Sequence, residues 1–399
     1  MYSDILQKYS HTMRHVLKLI LEKGPVTRSE LVRASGLSMI TLTKYVTQFM
    51  DDGIVKETGL SESTGGRRPA FIEIDPGFGY IVGIDIGAHS IKAGLVGSNG
   101  RIIKKEIVLP KDPYSSFLHY TPARLADMIE AMINEHKGKK ILGISIGISG
   151  LVDSRTNRIV FCPNISAWNN VDVKEVYEER FGMPVYVDTS ARCLVRAEKR
   201  FGIAKNVDNA VYVSLGYGIA AGILANGRIY EGDGFAGELG HIKVMEGDDS
   251  MCTCGNANCL ELFATLPMIS HRIRKELAGY TGYSPARDIL SNGYSVENLE
   301  KAASSGDKVV LGVLDDISFM TGSALAVMAN ILNPSLIILG GSVPEAFPML
   351  CGSIYQVIRK RSLLTSYRNL EVKRSIFGWE GGIIGSAARI INMVFSDNA

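Results

Sequence analysis

The chain has 399 residues, of which 46% are hydrophobic and 21% are charged, and its formal net charge is +2. This composition is that of a globular protein long enough for two or three domains, and it excludes a disordered chain. A net charge so close to zero argues against a protein that coats nucleic acid through general basicity.

The chain shows no pattern of a membrane or secreted protein. No uninterrupted apolar run of about 18 residues occurs, and the start Met1-Tyr2-Ser3-Asp4 lacks the basic-then-apolar order of a signal peptide. The six cysteines are too few for a disulfide scaffold in a chain of this length. We therefore expect a cytoplasmic protein that makes no membrane contact.

The charge is unevenly distributed. Residues 1–50 contain seven Lys or Arg and three Asp or Glu, a balance of +4, so the rest of the chain sums to −2. This asymmetry predicts a small basic module attached to a nearly neutral body.

The basic segment has the pattern of three helices. Apolar residues at helical spacing over 13–21 predict a first helix that Gly24-Pro25 ends. Thr27 and Glu30 have the spacing of a capping box, which predicts a short second helix. After a turn at 35–37, Ser38 can cap a third helix.

The third helix has two faces, and a basic loop follows it. The inward face is predicted to contain Leu42, Val46, Phe49 and Met50. The exposed face is predicted to contain Thr41, Thr43, Lys44 and Gln48. Two β-like runs at 54–57 and 70–74 then flank a flexible tip with paired arginines.

This order predicts a winged helix-turn-helix. In that arrangement the third helix enters a major groove of double-stranded DNA, and the wing arginines reach the backbone or a minor groove. The candidate DNA contacts are Ser38, Thr41, Thr43, Lys44, Arg67 and Arg68. The alternative interpretation is a small helical dimerisation module with a solvated loop.

Two later segments resemble each other. Both 81–102 and 211–229 contain an apolar strand, a glycine-containing turn, a strand with Ala-Gly, and the tetrapeptide Asn-Gly-Arg-Ile. A repeat about 130 residues apart predicts two similar lobes. The turn glycines would let the backbone approach a ligand in the cleft between the lobes, or they serve only the turns.

A cysteine-histidine cluster lies further along the chain. Cys252, Cys254 and Cys259 fall within eight residues, and His241 precedes the first of them by 11. Three thiolates and one imidazole predict a closed structural Zn²⁺ site, with free thiols as the alternative. The other cysteines are isolated and are expected to be buried without a role: Cys162, Cys193 and Cys351.

Together these features resemble the ROK family of repressors, open reading frames and sugar kinases, in its branch of regulators with a winged helix. The resemblance covers residues 10–399. Its motifs are Gly65-Gly66-Arg67-Arg68-Pro69, Asp85-x-Gly87, Pro163-Asn164 with Trp168, Gly237-Glu238-Leu239-Gly240-His241, and Cys252-x-Cys254-Gly255-x-x-x-Cys259-Leu260-Glu261. It implies an α/β chain with a two-lobed, actin-like ATPase fold, a sugar site in the cleft, a homodimer or homotetramer, and a palindromic operator.

The resemblance also implies domain boundaries. The winged helix-turn-helix would occupy 1–76. A first lobe would occupy 77–189, completed by a C-terminal helix at about 381–396. The second lobe, with the zinc loop, would occupy 190–380.

The chain departs from the kinase pattern of the family at three places. Ser190 stands where the kinases have the aspartate that acts as general base, and a serine hydroxyl does not accept a proton near neutral pH. His89 replaces the threonine of the first phosphate loop, and Tyr217 replaces the threonine of the second loop, where it would crowd the phosphate position. We therefore expect no phosphoryl transfer.

The sugar motifs are partly retained. By the resemblance, the effector-binding residues are Asn164, Thr189, Ser190, Glu238, His241 and Glu261. His241 would touch both metal and sugar, one ring nitrogen each. Arg192, which is unusual in its segment, is a candidate for holding a phosphate or carboxylate of the effector.

The sequence thus predicts a cytoplasmic transcriptional regulator, a repressor, that is released from DNA by a sugar or sugar derivative. One alternative is an active sugar kinase with an accessory DNA-binding head. Another is a repressor whose cleft binds nothing.

Overall fold

The computed structural model describes residues 8–60, 68–109, 121–153, 155–162, 165–246 and 250–395. Two of the predicted contact residues, Arg67 and Asn164, lie outside these ranges.

The N-terminal part is a small head of three helices and a three-stranded antiparallel sheet. Its elements are α1 (His11–Lys23), β1 (Val26–Thr27), α2 (Arg28–Ser35), α3 (Met39–Asp51), β2 (Val55–Leu60) and β3 (Ala70–Ile74). The sheet order is β1-β3-β2, so β2 and β3 form the hairpin of a wing. This confirms the predicted winged helix-turn-helix.

The helix ends of the head follow the capping signals. The Thr27 side chain accepts a hydrogen bond from the Glu30 amide, and the Glu30 carboxylate accepts one from the Thr27 amide. Ser38 accepts from the Thr41 amide at the start of α3. Each of these bonds satisfies an amide that the helix itself leaves without an acceptor.

The packing of α3 agrees with the pattern except at its end. Leu42, Val46 and Phe49 are fully buried, but Met50 is 36% exposed, so its inward placement is wrong. The helix ends one residue later, and the buried Ile54 completes the core beneath its last turn.

The body contains two groups of elements. The first is β4 (Tyr80–Ile86), β5 (Ile91–Gly97), β6 (Ile102–Val108), α4 (Pro122–Glu135), β7 (Ile141–Ile148), β8 (Leu151–Asp153), β9 (Arg158–Phe161), α5 (Val173–Phe181) and β10 (Val185–Thr189). The helix α6 (Ser190–Phe201) follows.

The second group begins with β11 (Ala210–Leu215), β12 (Ile219–Ala225) and β13 (Arg228–Tyr230). Its helices are α7 (Glu261–Ala264), α8 (Leu266–Gly279), α9 (Pro285–Leu290), α10 (Val296–Ser304), α11 (Lys308–Leu332), α12 (Ser342–Ala346), α13 (Leu350–Arg361) and α14 (Leu364–Tyr367). Strand β14 (Leu336–Gly340) follows α11, and strand β15 (Glu371–Arg374) follows α14. Helix α15 (Gly381–Phe395) ends the described chain.

The two groups build sheets of the same topology. The first sheet has the order β10-β7-β4-β5-β6, and the second has the order β13-β12-β11-β14-β15. In each, three strands form an antiparallel meander, the fourth pairs parallel to the first, and the fifth pairs parallel to the fourth. The internal repeat therefore does correspond to two similar lobes.

Two helices cross between the sheets. Helix α6 leaves the end of β10 and leads to β11, while α15 follows β15 and packs on β4, β5 and β7 of the first sheet. The two helices lie against each other, and a Cβ at Gly385 would come within 1.8 Å of the Cys193 carbonyl oxygen. Glycine permits this close approach because it has no side chain.

The head is packed onto the body through one continuous core. Buried residues of α1 and α3 belong to the same apolar cluster as Val394 and Phe395 at the end of α15. Phe201, at the end of α6, packs against this cluster too. Both crossing helices therefore run from the region between the sheets to the base of the head.

Helix α11 is long and apolar enough to cross a membrane by length and composition alone. Its most apolar window is 61% buried, and its buried face belongs to the core of the second group. It is the central helix of that core, which accounts for its hydropathy.

Candidate effector cleft, metal cluster and DNA-binding surface

A cavity of about 730 Å³ lies between the two sheets, at the carboxyl ends of their parallel strands. Ligands of α/β proteins bind in such positions because the loops that leave the strands meet there. Thr189, Ser190, Glu238, His241 and Glu261 all line it, so the structure brings together every predicted effector residue that it describes.

The cavity has two chemically different halves. The acidic half is defined here by Thr189, Glu238, His241 and Glu261. The loop half is defined by the β4–β5 turn (87–90), the β11–β12 turn (216–218) and Gly341 after β14.

Two carboxylates and one imidazole face one another in the acidic half. His241 Nε2 lies 3.9 Å from an oxygen of Glu238 and 3.9 Å from an oxygen of Glu261. Burial raises the pKa of Glu261 to about 7, and the nearby charge of Glu238 adds to the rise. Burial also raises the pKa of Glu238, while the positive charge of Arg192 opposes that change. Such groups offer hydrogen bonds to the hydroxyls of a polar ligand.

His241 also belongs to a metal-ligand cluster. Ligand atoms of His241, Cys252, Cys254 and Cys259 all lie within 4.8 Å of one another. Two separations are 3.6 Å, one between Cys252 Sγ and His241 Nδ1 and one between Cys254 Sγ and Cys259 Sγ. Two thiolates bound to one Zn²⁺ at about 2.3 Å would be about 3.8 Å apart in a tetrahedron. Three thiolates and an imidazole at these spacings fit a closed tetrahedral metal site.

The two nitrogens of His241 have different neighbours. Nδ1 faces the thiolate of Cys252, and Nε2 faces the carboxylates of Glu238 and Glu261. The ring is therefore a direct mechanical link between the metal cluster and the acidic half of the cleft. His241 is placed beside the cleft by the short helical turn Leu239–His241. This turn comes after Gly237, whose backbone φ is +110°.

Ser190 and Thr189 begin α6 on the opposite wall. The Ser190 hydroxyl donates a 2.7 Å hydrogen bond to a carboxylate oxygen of Asp85, at the end of β4. Lys92 lies 3.5 Å from the other oxygen of Asp85. Residue 190 therefore presents a hydroxyl, and not a carboxylate, at the position that the kinase pattern gives to the general base.

An aromatic contact forms part of the wall of the loop half. The rings of His89, from the β4–β5 turn, and Tyr217, from the β11–β12 turn, have centroids 4.0 Å apart. The two turns that would hold phosphate groups in a kinase are therefore in contact through side chains. Burial lowers the pKa of His89, which favours its neutral form.

Arg192 does not line the cleft, so its predicted role of holding an anionic effector is wrong for this conformation. Its side chain is 1% exposed and lies 2.7 Å from the carboxylate of Asp188. It also donates to Thr189 Oγ1 at 3.2 Å, behind the cleft wall. The guanidinium lies inside the protein because Asp188 is itself buried, and a buried carboxylate is stabilised by positively charged partners.

The three cysteines outside the cluster differ in exposure. Cys162 and Cys193 are buried, as predicted, and burial raises the pKa of both thiols to about 12. Cys351 is only half-buried, so the expectation of full burial is wrong there. It sits in the first turn of α13 and packs on the edge of the second core.

The exposed face of α3 presents the predicted DNA contacts. Thr43 and Lys44 are exposed, Thr41 is half-buried, and Ser38 caps the helix. Arg68 is exposed at the base of the wing, and Arg67 lies outside the described residues.

Two apolar residues on this face were not among the predicted contacts. Ile40 is 85% exposed and Met39 is 45% exposed, both in the first turn of α3. They follow the Ser38 cap, so their place in the first turn of the helix was recognisable from the sequence. Their exposure was not, because the helical pattern only requires that some positions face the core.

Comparison with known proteins identifies the family. The model of the ROK family matches residues 81–392, which is more than half of the chain. The chain belongs to the ROK family. A solved ROK family glucokinase from Streptomyces griseus has a TM-score of 0.66 at 27% identity and covers 77% of this chain and 98% of its own.

Relatives that match the whole chain are regulators. The xylose repressor of Bacillus subtilis (strain 168) is 30% identical over 380 residues, which cover 94% of each chain. The transcriptional dual regulator NagC of Escherichia coli (strain K12) is 31% identical over 363 residues, covering 90% of this chain and 87% of NagC. A solved ROK family transcriptional regulator, a homologue of the E. coli Mlc protein, has a TM-score of 0.78 at 26% identity and covers 99% of this chain and 97% of its own.

Proposed function

We propose that this protein is a sugar-responsive transcriptional repressor that acts in the cytoplasm. The observation that carries the proposal is that a winged helix-turn-helix shares one core with a body whose cleft retains Glu238, His241 and Glu261 facing one another. The full-length similarity to regulators named for xylose and to NagC supports it.

In this proposal the head binds a palindromic operator as part of a homodimer or homotetramer. A two-fold DNA site is read by two heads whose spacing matches successive major grooves. Helix α3 lies in the groove, with Thr41, Thr43 and Lys44 at the DNA, and the arginines of the wing approach the backbone. The boundaries we propose are 1–76 for this domain, 77–189 with 381–396 for the first lobe, and 190–380 for the second.

The effector is a neutral sugar or sugar derivative bound in the acidic half of the cleft. Glu238 and Glu261 accept hydrogen bonds from its hydroxyls, and His241 Nε2 contacts it. Thr189 and Ser190 lie against it on the opposite wall. Asn164 is included from the resemblance alone. Zn²⁺ held by His241, Cys252, Cys254 and Cys259 supplies no chemistry of its own and fixes the loop that positions the imidazole.

Binding reaches the head through the crossing helices. A sugar that contacts residues from both sheets favours the conformation in which the sheets are closer, and it shifts the population by its differential affinity. Because α6 and α15 both end in the core shared with the head, such a shift alters how the two heads are presented.

We propose that the body does not transfer phosphate. Ser190 replaces the kinase base, and its hydroxyl is already bonded to Asp85. The rings of His89 and Tyr217 also contact each other across the two loops that would hold phosphate groups in a kinase. An ATP-consumption assay over a panel of sugars tests this directly. Turnover with any of them would establish the kinase alternative.

The decisive experiment measures operator binding with and without sugars. The operator is selected from a random duplex library with the full-length protein. Its affinity is then measured in the presence of D-xylose, D-glucose, N-acetyl-D-glucosamine and their phosphates. Release by at least one compound is expected. If none changes operator affinity and none shifts the melting temperature, the protein is a repressor with an unresponsive cleft, since a ligand at 100 times its Kd should stabilise it by about 2.7 kcal/mol.

The docking of the head is tested by two substitutions on α3. Lys44→Ala should weaken operator binding and make it less salt-dependent, because a phosphate contact releases a counterion. Ile40→Ala should weaken binding by roughly tenfold at most with an unchanged salt dependence, since its side chain suits the methyl group of a thymine. Unchanged affinity in both variants would show that α3 does not enter the groove as proposed.

A further inference from the structure

Arg192 is tied to the first-sheet side of the cleft by three contacts. Its Nε lies 2.7 Å from Asp188 Oδ1 and donates to Thr189 Oγ1 at 3.2 Å. Its Nη2 donates to the carbonyl oxygen of Val152 at 3.2 Å. All three partners belong to the stretch from β8 to the end of β10. The guanidinium is therefore held in one orientation behind the cleft wall.

The remaining nitrogen of Arg192 is buried and lacks a hydrogen bond within the described residues. Glu231, which directly follows β13 of the second sheet, has a carboxylate oxygen 3.9 Å from this Nη1. That distance is too long for a hydrogen bond, and a buried guanidinium N–H without an acceptor is disfavoured. An approach of about 1 Å would convert the pair into a charge-assisted hydrogen bond.

The charge balance points to the same carboxylate. Asp188 is surrounded by three guanidinium groups, since Arg196 lies at 2.6 Å and Arg389 at 3.2 Å in addition to Arg192. One carboxylate does not neutralise three cations in a buried site. Glu231 interacts favourably with the charges of both Arg196 and Arg389 as well. It is the counter-charge that the second sheet offers to this cluster.

We propose that Arg192 and Glu231 form a clasp between the two sheets that closes when a sugar occupies the acidic half of the cleft. Arg192 acts as a positioning residue: it holds Thr189 in the cleft wall, and its charge reaches Glu238 on the opposite side. The clasp rests on the proposed function, because it couples effector binding to closure of the sheets. It differs from the role of the metal loop, since neither residue is a ligand of that cluster.

The test compares Glu231→Gln with a matched control on the same sheet. Glu371→Gln is the control, because Glu371 is 62% exposed and its partner Lys373 lies on the same strand, β15. For the full-length protein, operator affinity is measured with and without D-xylose, D-glucose and N-acetyl-D-glucosamine. Glu231→Gln should reduce the sugar-induced change in operator affinity roughly tenfold and leave sugar-free operator binding unchanged, while Glu371→Gln behaves as wild type.

A second variant separates positioning from general stability. Arg192→Lys keeps the positive charge but replaces the planar guanidinium, with its several N–H donors, by a single ammonium group. That group cannot hydrogen-bond to Thr189, Val152 and Glu231 at the same time. It should also lose sugar coupling. If either variant lowers the melting temperature yet keeps the full sugar-induced shift in melting temperature, the two residues are structural only and the clasp is wrong.

The remaining outcomes are also decisive. Should wild type respond to a sugar and Glu231→Gln respond equally, the clasp fails and the proposed function stands. If D-glucuronate binds better than D-glucose and Glu231→Gln strengthens it further, Arg192 binds an anionic ligand for which Glu231 competes, which overturns the clasp. If no sugar changes the operator affinity of the wild-type protein, both the clasp and the proposed sugar response are wrong.

Discussion

The acidic half and the loop half of the cleft each take residues from both groups of elements but are built in opposite ways. In the acidic half, Glu238 and Glu261 are partly buried around one imidazole. Burial removes water from both carboxylates and thereby raises the pKa of each. In the loop half, the rings of His89 and Tyr217 contact each other in the wall of the cavity.

This difference agrees with the ligand that we propose. Burying a carboxylate is unfavourable unless a donor compensates it, and a sugar hydroxyl beside Glu238 and Glu261 would supply one. An aromatic contact is favourable by itself and needs no such partner. We therefore propose that the sugar binds in the acidic half.

Removing a metal ligand should have the largest effect on this contrast. Cys259→Ser takes one thiolate from the cluster, and the loop that carries His241 into the acidic half loses its anchor. Sugar binding should fall by more than 100-fold together with bound zinc, because metal affinity and local folding are coupled. Zinc content by mass spectrometry and sugar affinity by calorimetry measure it. The control is Cys351→Ser, outside the cluster, which should retain both zinc and sugar.

A carboxylate of the acidic half should have the next largest effect. Glu261→Gln removes the charge but keeps the shape, and hydrogen bonds to a charged acceptor contribute about 1.5–3 kcal/mol. Sugar affinity should drop by roughly tenfold to a hundredfold, with zinc content unchanged. The matched control Glu246→Gln alters a fully exposed carboxylate paired with Lys243 and should bind sugar as wild type. Equal affinity in both variants would place the sugar elsewhere.

The loop half should respond least. Tyr217→Thr removes the ring that meets His89 and restores the small residue of the kinase pattern. Sugar affinity should change by less than about threefold, and ATP consumption should stay at background, since no carboxylate stands at residue 190. A large loss of sugar affinity in this variant would mean that the two halves are not independent, and the comparison would have to be abandoned.

The predictions from sequence succeeded where local rules apply. The capping box at Thr27 and the cap at Ser38 each depend on residues close together in the chain, and the internal repeat depends on two segments with the same local pattern; all three are present as predicted. The metal cluster was also predictable, because three of its ligands lie within eight residues. Met50 and Cys351 were misplaced because their burial depends on segments that pack from elsewhere.

The sequence by itself determined the head and the two-lobed body, since these follow from periodicity, capping and the internal repeat, while the chemistry of the effector residues came from the resemblance to the ROK family. Only the tertiary structure decided which groups meet. Arg192 was expected at a ligand, yet it lies behind the wall because Asp188, Arg196 and Arg389 converge there from different elements. Likewise, the contact between His89 and Tyr217 joins residues 128 positions apart, and no local pattern encodes how two lobes approach each other.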